Sequence, residues 1–280
     1  MPELPEVQTL VDDLRASSLI GQTIKDVQVR WPRIVAEPTL ELFCRQLAGQ
    51  RVSDIQRRAK YLVFSLGSGQ SLLVHLRMTG KFAFASPKDA LEAHHHVLLT
   101  FGDERQLRYH DTRKFGRFSL VQSAEEALRH LGLEPLSAEF TPEALEQRLR
   151  GRRTPLKAFL LDQRQVAGIG NIYADEALWG AGLHPATPAG SLSQEQVHFL
   201  YSSIIEALQR GLRNMGTTLG NSQANFYSVA GRRGRNEDEL RVFRRTGLPC
   251  PRCGQAIERT VLAQRSTHYC LRCQQNGKRT

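Results

Sequence analysis

Lys60-Tyr61-Leu62-Val63-Phe64-Ser65-Leu66 runs into Gly67-Ser68-Gly69 and then into Ser71-Leu72-Leu73-Val74-His75-Leu76. Two short apolar runs on either side of a glycine-rich turn read as neighbouring antiparallel strands. Working outward, Val27–Trp31, Val97–Phe101, Gln106–Tyr109 and Arg117–Val121 have the same character, with Gly102-Asp103 as a further turn. Several short strands at this spacing point to an antiparallel sandwich or barrel. Ahead of them, Val7, Leu10, Val11 and Leu14 recur at helical spacing, which predicts an amphipathic helix over 5–18, ending before Gly21. Leu40, Phe43 and Leu47 repeat that spacing, and Cys44 between them reads as a small buried hydrophobe.

The pattern changes near residue 123. Thr141-Pro142-Glu143 carries a cap, a proline at the first helical position and an acid in the first turn. Ser193-x-x-Gln196 is a capping box, and it opens a longer helix with Val197, Leu200, Ile204, Leu208 and Leu212 on one face. Residues 136–213 therefore read as a helical unit. Residues 216–236, rich in Gly, Asn and Ser, read as a mobile loop. The fold class is α+β.

The formal net charge is +10, and all of the excess lies in residues 210–280, which hold 14 Lys/Arg against 4 Asp/Glu. A concentrated basic segment suits a polyanion such as nucleic acid or an acidic membrane surface. No apolar run approaches the roughly 20 residues of a membrane span. No basic stretch followed by an apolar one opens the chain, so the expected address is cytoplasmic. Four of the five cysteines form Cys250-x2-Cys253 and Cys270-x2-Cys273. Each x2 turn brings two sulfurs toward one ion, so the quartet is a closed tetrahedral site for one structural zinc ion. A closed shell leaves no position for catalysis. Arg241, Arg244, Arg245, Arg252, Arg259, Arg265 and Arg272 surround it.

Pro2 follows Met1 directly. With Met1 removed, Pro2 is a secondary amine, able to attack a sugar C1′ and form an iminium. Glu3 and Glu6 are acids beside it, and such a nucleophile needs a proton donor close by.

Taken together, Met1-Pro2-Glu3-Leu4-Pro5-Glu6-Val7, Arg57-Arg58-Ala59-Lys60-Tyr61, His75-Leu76-Arg77-Met78-Thr79-Gly80, Asp111-Thr112-Arg113-Lys114-Phe115-Gly116 and Gly168-Ile169-Gly170-Asn171-Ile172-Tyr173-Ala174-Asp175-Glu176, closed by the finger with Gln264-Arg265, resemble the formamidopyrimidine-DNA glycosylase family. The match runs through the whole chain in order. The resemblance implies an N-terminal catalytic β-sandwich with flanking helices (1–122) and a linker (123–135). A helix–two-turn–helix DNA-binding domain with a lesion loop (136–235) and a β-hairpin zinc finger (236–280) would follow, with double-stranded DNA as the partner of a monomer.

It also implies roles. Pro2 is the Schiff-base nucleophile, and Glu3 protonates the opening sugar. Glu6 either supports that site or is an ordinary acid of the first helical turn. Lys60 contacts phosphate and serves β-elimination, and Arg265 holds phosphate and serves δ-elimination. A base inside a duplex must be flipped out to be reached. Met78, Arg113 and Phe115 match residues that fill the gap, wedging between base steps or bonding the orphaned base. Asn171, at a helix start behind two glycines, is expected on phosphate. His75, His94, Arg152 and Lys157 match further DNA-binding positions. His94-His95-His96 is not expected to be a metal site, because neighbours in a strand face opposite sides.

Two departures stand out: Phe243-Arg244-Arg245 replaces a common Tyr-Gly-Arg, and Thr79 occupies a variable position where the flipped base is expected. The expected activity is excision of 8-oxoguanine and formamidopyrimidines, followed by β,δ-elimination at the abasic site. One alternative is an endonuclease VIII-like enzyme for oxidised pyrimidines, which Leu4 disfavours. The other is a non-catalytic zinc-dependent protein that binds damaged DNA.

Overall fold

The computed structural model describes residues 1–220 and 226–275. It divides into two compact units, Met1–Arg129 with Asn214–Glu237, and His130–Arg213 with Asp238–Thr280.

In the first unit the order is α1 (Leu4–Ala16), β1 (Ile24–Val29), β2 (Val35–Glu37), α2 (Leu40–Leu47), β3 (Val52–Arg58), β4 (Tyr61–Leu66), β5 (Ser71–His75), β6 (Lys81–Ala85), β7 (His95–Phe101), β8 (Gln106–His110), β9 (Arg117–Val121) and α3 (Ala124–Ala127). One sheet has the order β1-β7-β8-β6 and the other β2-β9-β5-β4-β3. Every pairing is antiparallel except β2 with β9. Val7, Leu10, Val11 and Leu14 of α1 share one core with Phe101, Leu107 and Tyr109 of the first sheet and Ile55, Phe64 and Phe118 of the second. The unit is therefore a β-sandwich flanked by helices. The hairpin β4–β5 pairs Leu62 with Val74 and Phe64 with Leu72, as the two apolar runs require. Strands β2, β3 and β6 are additional to the sequence reading. β3 reads Val52-Ser53-Asp54-Ile55-Gln56-Arg57-Arg58, so charge masks its buried positions Val52 and Ile55.

The second unit holds α4 (Pro142–Leu149), α5 (Leu156–Leu161), α6 (Asn171–Ala181), α7 (Gln194–Arg213), β10 (Glu258–Leu262) and β11 (Arg265–Tyr269). Thr141 caps α4 by accepting from Ala144 N–H. Ser193 and Gln196 form the expected reciprocal box, and Val197, Leu200, Ile204 and Leu208 are buried. The hairpin β10–β11 and its cysteines fold with the helices as part of this unit.

Segment 214–237 belongs to the first unit, not to the helical region where its place in the sequence groups it. The reason lies in α1. Thr217 N–H donates to Glu6 Oε1 at 2.7 Å and Ala230 N–H to Asp13 Oδ2 at 3.1 Å, and Arg232 is paired with Asp13. Val229 joins the sandwich core. Part of the anticipated lesion loop, residues 221–225, lies outside the described residues. Helix α3, placed in the expected linker, also belongs to the first unit.

Candidate active site and DNA-binding elements

Pro2 and Glu3 are buried at the start of α1. Glu3 is the N-cap, and it forms a capping box with Glu6. Glu3 N–H donates to Glu6 Oε2 at 2.8 Å, while Glu6 Oε1 accepts from Thr217. Glu6 is an acid in the first helical turn, and its two oxygens bind the chain start to the 214–237 segment.

Lys60 is buried in the turn between β3 and β4, behind Ala59, whose φ is +52°. Arg57 ties this turn to α1, donating to Ala59 O at 3.2 Å and to Gln8 Oε1 at 3.0 Å. The next residue, Tyr61, pairs across the sheet with His75, and the two rings meet edge to face at 4.7 Å. Burial, then the charges of Arg77 and Lys60, push the His75 pKa down to about 3. Its Nδ1 accepts from Arg77 N–H at 3.0 Å, so the proton of the neutral ring sits on Nε2, which can donate.

The three wedge candidates are exposed. Met78 is 37% and Phe115 46% accessible, and the Arg113 guanidinium lies 4.7 Å over the Phe115 ring. Buried Asp111 joins their two turns. Its Oδ1 accepts from the Thr79 hydroxyl and from Arg113 N–H at 3.1 Å, and its Oδ2 accepts from Gly116 N–H at 2.8 Å. Thr79 is thus committed to this junction. Gly80 and Gly116 are required here, since a Cβ would stand 2.1 Å and 1.9 Å from the Tyr109 hydroxyl. Sequence reasoning misses Asp111 and Tyr109. The available signal is an aspartate opening a turn that ends in glycine.

His94 is half-buried just ahead of β7, its ring 5.7 Å from that of His110. Among the described residues, the cysteine quartet is the one group of three or more potential metal ligands.

In the second unit, Gln163 shapes the Gly168-Ile169-Gly170 turn, accepting from Gly168 N–H and donating to Ile169 O, both at 2.9 Å. Asn171 follows as the first residue of α6, and its Nδ2 donates to Ser266 O at 3.0 Å. That bond brackets α6 to the strand that begins with exposed Arg265. Arg265 pairs with Leu262 around a two-residue turn, Ala263-Gln264, with φ of +49° and +58°. These left-handed values fit the twist of a tight hairpin but are costly without glycine or asparagine.

Arg152 is exposed, 3.4 Å from Gln165 Oε1. Lys157 is not available to DNA. It is fully buried, paired with equally buried Asp175, whose other oxygen accepts from His268 N–H at 3.0 Å and lies 3.0 Å from His268 Nδ1. The expectation that Lys157 touches DNA is corrected accordingly: an apolar surround forces the ammonium onto an internal carboxylate. Glu176 is equally structural, accepting from Arg241, Val242 and Phe243 N–H and from Arg210. Two features mark the departure at Phe243-Arg244-Arg245. Phe243 is buried against His268 at 5.1 Å, and Arg244 itself adopts φ +58°, a value glycine takes freely.

The four Sγ atoms lie within 4.8 Å of one another, with Cys253 and Cys270 3.4 Å apart and Cys250 and Cys273 3.9 Å apart. Zinc–sulfur bonds of about 2.3 Å in a tetrahedron need sulfurs about 3.8 Å apart, so the quartet fits one zinc ion. Burial raises the Cys250 thiol, but hydrogen bonds from Trp179 and from the Arg252 and Cys253 backbones outweigh it and bring the pKa to about 6. Val242, Ile257 and the cysteines, with partly buried Trp179, form a small apolar cluster around the site.

Exposed Met78, Arg113 and Phe115 on a sandwich with a buried Pro2-Glu3 start, and exposed Arg265 on a hairpin beside four clustered cysteines, fit a base-excision DNA glycosylase. Residues 1–118 match the formamidopyrimidine-DNA glycosylase N-terminal domain, 131–223 its H2TH domain, and 247–276 the zinc finger found in FPG and IleRS. Formamidopyrimidine-DNA glycosylase of Protochlamydia amoebophila is 47% identical over 98% of this chain and 99% of its own. That of Enterococcus faecalis is 44% identical over 100% and 99%. A Lactococcus lactis FPG variant complexed with Fapy-dG-containing DNA superposes with a TM-score of 0.90 at 36% identity, covering 98% of this chain and all of that one. The same enzyme with abasic-site DNA gives 0.89 over the same coverage. The chain belongs to the formamidopyrimidine-DNA glycosylase family, and it is a glycosylase and abasic-site lyase.

Proposed function

We propose that the chain excises oxidised purines, 8-oxoguanine and formamidopyrimidines, through a Schiff base on Pro2 and then cuts the strand on both sides of the sugar. The burial of Pro2 and Glu3 at the capped start of α1 carries this reading. Once Met1 is removed, the Pro2 nitrogen forms a bond to C1′ as the bond to the base breaks. Glu3 protonates the opening sugar, leaving an iminium. Loss of a 2′ proton then expels the 3′ phosphate, and a second elimination expels the 5′ phosphate. Lys60 serves the first elimination and Arg265 the second. Met78, Arg113 and Phe115 occupy the gap left by the flipped nucleotide. Cys250, Cys253, Cys270 and Cys273 hold the zinc, which supplies no chemistry beyond fixing the hairpin. His75, His94, Arg152 and Asn171 contribute to DNA binding, and the protein acts as a monomer in the cytoplasm.

A wider lesion range is a second reading, favoured by one observation: a Lactococcus lactis FPG complex contains DNA with an oxidised pyrimidine. Borohydride reduction during turnover tests the reading. An adduct between protein and an 8-oxoguanine duplex, lost in Pro2→Gly, is expected; turnover without any adduct contradicts it. Comparing purine with pyrimidine lesions then fixes the preference.

A further inference from the structure

We infer that Asp111 is a positioning residue that makes the Met78 turn and the Arg113–Phe115 turn a single preset wedge. The inference rests on the proposed gap-filling role of those three side chains. Asp111 is completely buried, and each of its carboxylate oxygens accepts two neutral donors. Oδ1 takes the Thr79 hydroxyl and Arg113 N–H; Oδ2 takes Gly116 N–H at 2.8 Å and the Tyr109 hydroxyl at 3.5 Å. The donors come from both turns and from the strand beneath them. Thr79 closes the ring, since its Oγ1 also accepts from Arg113 N–H at 3.2 Å. The single Tyr109 hydroxyl proton is shared between Asp111 Oδ2 and Leu76 O, the latter at 3.3 Å and at the root of the Met78 turn. His96 Nε2 lies 2.9 Å from Asp111 O. From the far side, the Lys114 ammonium stands 4.1 Å over the Trp31 ring and fixes a residue whose φ is +57°.

Filling the gap competes with the flipped nucleotide returning to the stack. A wedge whose turns are already ordered adds no ordering cost at that moment. An amide cannot replace the carboxylate, because on either side its NH2 group faces a backbone N–H, that of Arg113 or that of Gly116, from which it cannot accept. The buried N–H left unpaired then loosens one turn from its neighbour.

The test compares D111N, T79V and T79S with the unaltered zinc-loaded protein. Two rates are measured: excision from an 8-oxoguanine duplex, and borohydride trapping on single-stranded abasic DNA, which needs no wedge. For D111N the ratio of the first to the second falls roughly tenfold or more. T79V lowers it less, and T79S, which restores the hydroxyl, recovers it. An unchanged ratio, or an equal loss of both rates, overturns the inference. Should D111N fail to fold by circular dichroism, the T79V and T79S pair decides. A wild-type protein that forms no adduct on either DNA sinks the proposed function instead. In that event, 2-aminopurine fluorescence opposite an abasic analogue still reads the wedge: D111N weakens the unstacking signal, and an unchanged signal overturns the inference.

Discussion

Lys157 matches a DNA-touching position by resemblance, yet Lys157 and Asp175 are both 0% exposed. K157M keeps the length of the side chain and deletes its charge. Each phosphate-bound cation removed changes the slope of log K against log salt by about 0.9, so a phosphate-binding Lys157 gives K157M a shallower salt dependence. The buried pair predicts no change of slope and a loss of stability. Asp175 keeps two approaches from His268 at 3.0 Å. Breaking a buried pair costs about 3–5 kcal/mol, and those remaining bonds put K157M near 3 kcal/mol. K157M/D175N removes the stranded charge and recovers part of that. Urea unfolding of the zinc-loaded protein gives the stability term. Fluorescence anisotropy on an abasic-analogue duplex between about 50 and 200 mM salt gives the slope. A slope shallower by about 1 with unaltered stability refutes the reasoning.

Three further outcomes follow from the same geometry. A chelator strong enough to strip zinc releases one ion per chain and unfolds the hairpin, abolishing strand cutting; retained cutting by metal-free protein, checked by atomic absorption, contradicts the scaffold role. His75 has its pKa depressed to about 3, so the unfolded chain takes up its proton first. Its contribution to stability is complete above about pH 6.5 and is lost as pH falls from there toward 3, on the order of 5 kcal/mol in all. H75Q flattens the stability-against-pH curve in that window, and an unchanged curve counts against the burial argument. R244G relieves a left-handed backbone costing about 1–2 kcal/mol against roughly 0.5–1 kcal/mol of added chain entropy, so thermal unfolding shows a small gain; a loss beyond about 1 kcal/mol contradicts it.

The sandwich was legible because its central strands, β4 and β5, are nearly continuous apolar runs around a Gly-Ser turn. β3 was not, because its outward side chains are charged or polar and its inward ones are only Val52 and Ile55. The finger was legible because metal geometry dictates cysteine spacing, whatever the fold around it. What escaped were the groups that join distant segments. Asp111 and Thr79 are 32 residues apart and Glu6 and Thr217 are 211 apart, and no local pattern encodes such a bond. Lys157 misled for the complementary reason. A lysine in the short, apolar stretch Leu156-Lys157-Ala158-Phe159-Leu160 reads as a surface charge unless its buried counter-ion, Asp175 on the next helix, is known. Arg244 shows a third limit: a non-glycine residue can occupy a left-handed position, so the missing glycine did not mean a missing turn.

The most direct test of the central claim is intact mass of the purified protein combined with borohydride trapping on an 8-oxoguanine duplex. The account predicts a chain lacking Met1 and a covalent DNA adduct that Pro2→Gly abolishes. A correctly processed terminus that gives no adduct on that duplex or on an abasic one contradicts it.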